Sequence, residues 1–196
     1  MTEALETHLR RQIDHSRRFF WHRLRWRAIS GFLPADTTFE LVDVGAGAGL
    51  LGEYLQVDRP QAIYRFVEPI DSLRQFLRER HGLAADAGGK SHYGSAQFIT
   101  LLDVLEHQHD DKGFLRELVA KMQPGSTLLL TVPALQDLWS PWDQALGHFR
   151  RYDKASLLAC TSGLPLTVLE TSFLFPEMVP LAMVRRRMLC SFEPVK

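Results

Sequence analysis

The chain has 196 residues, enough for one domain that buries roughly two thirds of its unfolded surface. Its 45% hydrophobic and 23% charged content is that of an ordinary soluble globular protein, and 23 basic against 23 acidic side chains leave no excess charge to attract nucleic acid. Cys160 and Cys190 stand at no metal or disulfide spacing, no apolar run approaches the ~20 residues of a membrane span, and the N-terminus lacks a signal-peptide core, so a reduced, cytoplasmic protein is expected.

The chain opens on a basic leader, residues 1–32. Between Arg10 and Arg27 lie seven arginines against one acid, Asp14. Leu9, Ile13, Phe20, Leu24 and Ile29 recur at roughly helical spacing, which predicts an amphipathic helix. A docked helix with a solvated basic face, a lid over a ligand site and an acid-seeking surface all fit this pattern, and an anionic membrane surface is a weaker partner. Leu33-Pro34-Ala35-Asp36 is a turn, and a first strand follows at about 39–44. Residues 50–57 read as helix, Ala62–Val67 as a second strand closed by Glu68-Pro69, and Asp71 as the cap of a helix running to about Arg80. Residues 83–95 are loop with at most a short third strand near 83–86, and Gln97–Leu102 is a buried fourth strand. A helix near 110–122 leads through Gln123-Pro124-Gly125-Ser126 to a fifth strand, Thr127–Val132. Residues 133–152, rich in Trp and Pro, lack helical period. Asp153 starts a helix ending near Gly163, Leu166–Phe173 reads as a sixth strand, and 174–196 is a tail. Alternating strands and helices predict one domain, a doubly wound and mostly parallel α/β sheet in three layers.

The chemistry is concentrated after the first strand, in Phe39-Glu-Leu-Val-Asp-Val-Gly-Ala-Gly-Ala-Gly49. Glycines at 45, 47 and 49 let the backbone turn sharply and a ligand approach it closely, at the start of a helix with free N–H groups. That is a nucleotide cradle. Read from Gly47, Gly-Ala-Gly-Leu-Leu-Gly52 spells a dinucleotide fingerprint, with Glu68 about 20 residues on as its ribose acid. Nothing else in the chain marks a hydride-transfer site.

Read from Asp43, the same stretch resembles the first motif of the class I S-adenosylmethionine-dependent methyltransferases. The likeness continues through Leu101-Leu102-Asp103-Val104-Leu105-Glu106-His107, the helix after Asp110-Asp111, and Met122-Gln123-Pro124-Gly125-Ser126 with its following strand. It extends to Leu138-Trp139-Ser140-Pro141-Trp142-Asp143, to Gly147-His148-Phe149-Arg150-Arg151-Tyr152 and, at the front, to Phe20-Trp21-His22-Arg23. The chain to Phe175 thus resembles the small-molecule, quinone-biosynthesis-like type. It departs in carrying Ser126 where relatives have glycine, and in showing no convincing seventh strand after the sixth. The expectation is a shortened chain, or a sheet that lacks its last strand and has its edge covered by the tail.

The resemblance implies S-adenosylmethionine as cofactor, leaving as S-adenosylhomocysteine. Gly45, Ala46, Gly47 and Gly49 would face the methionine and ribose, Asp43 would accept from the amino group, and Glu68 with Pro69 would hold the ribose. Asp86 would meet the adenine amino group, and Asp103 and Val104 would sit beside the transfer point. Glu68 as a helix N-terminal acid, Asp86 as a turn acid and Asp103 as a helix cap are the plain structural readings. His148 and His107 are the candidate bases, because imidazole titrates near neutral pH. Trp21, Trp139 and Trp142 would wall the pocket, where an aromatic face near a sulfonium is worth on the order of 1 kcal/mol. Arg150, Arg151 and Tyr152 would suit an anionic acceptor, with a surface ion pair the plain reading for at least one arginine. The expected function is methyl transfer to a small or amphipathic acceptor, lipid-like or anionic, at oxygen. A non-catalytic cofactor-binding module acting through a partner is the alternative, motivated by the missing strand and Arg185-Arg186-Arg187. A homodimer through the sheet edge or tail stays open. No metal is implied.

Overall fold

A computed structural model describes residues 5–9, 20–88 and 92–190. The expectations for Ile13, for the arginines before Phe20 and for 191–196 lie outside the described residues, as do those for the side chains of Phe20, Trp21 and Arg185 to Arg187.

Four strands form one parallel sheet in the order β2-β1-β3-β4: β1 Glu40–Val44, β2 Ile63–Val67, β3 Phe98–Leu102 and β4 Thr127–Thr131. β1 is interior because both its faces are apolar, with Leu41 buried on one side and Val42 and Val44 on the other. Helices α1 Phe20–Ser30, α2 Leu50–Asp58 and α3 Asp71–His81 enclose one core, in which Trp26, Leu55 and Leu77 meet Leu41 and Phe66. Helices α4 Asp111–Val119 and α6 Lys154–Thr161 enclose the other, in which Leu115, Leu118 and Cys160 meet Val42, Ile99 and Leu101. This is the three-layer, doubly wound α/β fold. The chain leaves β1 on one side to make β2 and returns on the other to make β3. A crevice therefore opens at the carboxyl ends of β1 and β3, where the strand order reverses.

Several elements differ from expectation. Among the described side chains, the buried stripe of α1 is His22, Trp26 and Ile29, whereas Leu24 is only partly buried. Trp26 wins the inward position because its ring stacks on Tyr54 while its indole N–H bonds to Asp58. Asp71 lies inside the first turn of α3; the N-cap is Ile70, without a side-chain cap. The third strand is reduced to a single parallel bridge, Phe66 to Asp86, after the 3-10 turn Leu83–Ala85. Residues 133–152 contain a short helix, α5 Pro141–Leu146, started by a Ser140–Asp143 capping box. Six residues are too few to show a period.

No sixth strand forms at 166–173; the segment has no ladder partner, and Val168 and Leu169 are exposed. Strand propensity without a neighbouring edge does not make a strand. Beyond it, α7 Val179–Cys190 tolerates Pro180 in its first turn and packs against the 3-10 turn Gln136–Leu138. Among the described residues, no helix is long and apolar enough to cross a membrane.

Candidate active site

A cleft of about 1650 Å³ runs from the crevice along β4 to the segment after α6, with residues 5–9 and α1 among its walls at the crevice end. Its floor is the turn after β1. Gly45 has φ +73°, and its N–H donates to the Val67 carbonyl at 2.7 Å. A Cβ on Gly45 would lie 2.6 Å from Val104 Cγ2, and one on Gly49 (φ +72°) would lie 2.3 Å from Leu77 Cδ2. Only glycine fits either position. Gly49 is the N-cap of α2 and brings no capping side chain, so the helix N-terminus stays available to a ligand. Gly45, Ala46, Gly47, Pro69 and Val104 all line the cleft; Gly49 sits behind it, fixing the bend.

Two of the expected cofactor acids are buried at the strand ends. Asp43 is 3% exposed, and it accepts from Thr100 Oγ1 at 2.8 Å and from the Tyr64 hydroxyl at 3.1 Å. Thr100 stands opposite Asp43 in the β1–β3 register, which explains the first bond. Burial raises the Asp43 carboxyl to about 6 against these hydrogen bonds. Glu68 is 5% exposed, with Oε2 accepting from Gly47 N–H at 2.7 Å and Oε1 from Ile70 N–H at 2.8 Å. Burial pushes its carboxyl up as well. Glu68 thus ties the glycine turn to the start of α3, and the helix-terminal reading is part of its role.

Asp103, at the end of β3, holds a positive φ of 56° that asparagine and aspartate tolerate best. Thr131 Oγ1 donates to it at 3.0 Å, and Arg25 of α1 pairs with it across the cleft. Asp86 is corrected. It does not line the cleft: its carboxylate accepts from Arg74 Nε at 2.7 Å, Arg78 Nε at 2.5 Å and Gly88 N–H at 2.8 Å. Burial opposes its charge, but these partners outweigh burial and hold the carboxyl below its usual value.

The opposite wall carries the expected bases. His107 and His148 meet edge to face, with ring centroids 4.7 Å apart. His148 Nδ1 bonds to Asp143 Oδ1 at 3.1 Å. Burial, and then the neighbouring His148, lower His107 to about 4, so its ring is neutral. Beside the two histidines is Glu106, 1% exposed, with no hydrogen bond from another residue to either carboxylate oxygen. Burial drives its carboxyl well above the usual range.

Arg151 lines the cleft but is not a free anion receptor: Nε and Nη2 grip the Asp143 carboxylate at 2.9 and 3.1 Å. Arg150 is likewise paired with Asp111 at 2.6 Å. Tyr152 is buried, and its hydroxyl donates to Asp111 at 2.9 Å. Its backbone bridges Ala134, extending the sheet beyond β4. These pairings overturn the expectation that Arg151 and Tyr152 present themselves to an anionic acceptor. Trp142 does line the cleft, 54% exposed and edge-on to His8 at 5.4 Å, whereas Trp139 does not line it. Seven acids line the cleft against Arg25, Arg151 and Lys154, and the two arginines are already paired with Asp103 and Asp143.

Four participants received no role from the sequence: Glu106, Arg25, Thr100 and Asp143. Its place directly before His107, three residues after Asp103, was the available signal for Glu106. The other three depend on which strands and helices become neighbours.

No curated protein sequence matches the chain. In fold it is similar to the complex between the Haloferax volcanii Trm112 methyltransferase activator and a protein classed as a methyltransferase, with TM-score 0.69 and 15% identity over 86% of this chain and 77% of that one. It is similar to Haemonchus contortus phosphoethanolamine N-methyltransferase 2 solved with S-adenosyl-L-methionine, with TM-score 0.65 and 13% identity over 88% of this chain. The chain spans only 43% of that longer protein. A Bacillus halodurans protein classed as a methyltransferase gives TM-score 0.60 and 12% identity, covering 87% and 85% of the two chains. At these identities the likeness establishes the Rossmann-like architecture. Residues 5–170 match the family model described as methyltransferase domain, so the chain belongs to the methyltransferase-domain family, with the class I fold.

Proposed function

We propose that this protein transfers the methyl group of S-adenosylmethionine to an oxygen atom of a small or amphipathic acceptor. One observation carries the reading: the Gly45–Gly47 floor with Glu68, and the group Glu106, His107 and His148, open into the same cleft. The residues present fit the cofactor. The floor is bare backbone where a side chain has no room, flanked by two buried carboxylates in an acid-rich cleft. The Haemonchus neighbour crystallised with S-adenosyl-L-methionine supports the same assignment.

When bound, the cofactor supplies a methyl group on a positively charged sulfur that leaves as a neutral thioether. The protein's part is alignment, which supplies most of the rate in such a displacement. Glu68 offers its remaining lone pairs to the ribose diol, and Asp43 offers a carboxylate to the amino group. Ala46, Pro69 and Val104 exclude water. Asp103, steadied by Arg25 and Thr131, fixes the end of β3 beside the methyl. A hydroxyl acceptor also loses a proton. His148, with Nδ1 held by Asp143, keeps Nε2 as the proton acceptor, while His107 stays neutral beside it. Ile29, Leu138, Trp142 and Leu146 give the acceptor end an apolar lining, and its arginines are already paired, so a lipid-like acceptor fits better than an anionic one.

The test is calorimetric titration with S-adenosylhomocysteine, followed by a screen of hydroxylated acceptors with labelled cofactor. Micromolar binding and labelled product are expected, and turnover on any acceptor also removes the non-catalytic alternative. A protein that binds no S-adenosylhomocysteine ends the proposal.

A further inference from the structure

The proposed proton-transfer step gives His148 and His107 their parts but assigns none to Glu106. Glu106 is almost fully enclosed, yet no other residue donates a hydrogen bond to either of its carboxylate oxygens. Buried carboxylates are otherwise paired, hydrogen-bonded or bound to a metal. One ligand atom from each of Glu106, His107 and His148 lies within 4.8 Å of the other two. Two imidazoles and a carboxylate converging on one point form the donor set of a three-ligand metal site with open positions.

The outer contacts of the histidines suit that role. A ligating imidazole usually gives its second ring N–H to a carboxylate or a backbone carbonyl, which fixes the tautomer and aims the lone pair. His148 Nδ1 is held by Asp143 at 3.1 Å, and Asp143 is itself clamped by Arg151. His107 is bonded to the backbone of Gly147. The three residues come from a 3-10 turn after β3, Leu105–His107, and from the loop after α5, so one ion would pin the two segments together.

We propose that Glu106, His107 and His148 bind a first-row transition-metal dication, for which zinc is the probe. All three line the cleft, so the open coordination positions face the acceptor end. The use of the ion rests on the methyl-transfer reading. An acceptor hydroxyl coordinated there loses its proton to water in the open cleft; its oxygen then forms the bond to carbon as the carbon–sulfur bond breaks and sulfur keeps the electron pair. With the ion bound, the histidines act as ligands and no longer take the proton.

The full chain, stripped with chelator, is titrated with zinc by calorimetry in the absence of cofactor and acceptor, and cobalt loading is followed by its visible absorption. One zinc per chain is expected, with Glu106→Gln and His148→Ala each weakening affinity at least tenfold and His109→Ala, outside the cluster, leaving it unchanged. His107→Gln serves as the third ligand variant, and circular dichroism confirms folding of each. Absence of stoichiometric uptake by the wild type, or equal affinity in folded ligand variants, overturns the site. Because no methyl donor is present, that failure leaves the methyl-transfer reading standing. Full turnover by the stripped enzyme would overturn the catalytic use of the ion while leaving the titration to decide the site.

Discussion

On the proposed reading, Glu68 and Asp43 each serve both the fold and a ligand. Each oxygen of Glu68 already accepts a backbone N–H, and each still has a lone pair toward the cleft. Glu68→Ala should therefore weaken S-adenosylhomocysteine affinity at least tenfold by calorimetry. It should also lower stability by about 1–3 kcal/mol, because the Gly47 and Ile70 N–H groups lose their acceptors. Asp43 yields a pH signature. Burial raises its carboxyl to about 6, opposed by Thr100, Tyr64 and the more distant Arg25. The ionised form attracts the cofactor's ammonium group, so affinity is fully present above pH 6 and lost as pH falls through that value. The dissociation constant should rise toward about tenfold per pH unit below 6. A flat profile from pH 5 to 7, or the same slope in Asp43→Asn, would place the ammonium elsewhere.

At the scale of elements, the turn from β1 to α2 is the most sterically constrained stretch described for the cleft. Its bend rests on glycine because Val104 fills the space beside Gly45. Gly45→Ala combines a positive φ with that clash and should lower stability by about 1–3 kcal/mol in urea unfolding, with cofactor binding abolished. Wild-type affinity in that variant would mean the turn is not the cradle. The short helix α5 matters in a different way. Asp143 closes its capping box and also holds His148 and Arg151, so one helix start orients the acceptor end of the cleft.

Over the whole molecule, the leader helix α1 is both core and roof. Trp26 and Ile29 anchor it to the domain, while Arg25 reaches across to Asp103. Arg25→Ala should leave the core intact and release the roof from the end of β3. Melting temperature should change by no more than a few degrees, whereas amide exchange in residues 20–30 and the dissociation rate of S-adenosylhomocysteine should rise several-fold. Unchanged dissociation would make the contact an ornament of the surface.

Strand-and-helix alternation, the glycine turn and the placing of Asp43 and Glu68 at the ends of β1 and β2 were legible in the chain because each follows from local chemistry: period, turn geometry and position along a single strand. Asp86 was misread because its partners, Arg74 and Arg78, lie on a helix whose facing side the sequence does not state. The strand expected at 166–173 failed because a strand exists only beside another edge. Glu106 and His107 are neighbours in sequence, but His148 joins them only after the chain has made another strand and α5. Pairing across such distances is set by which surfaces bury together, and no local pattern records it.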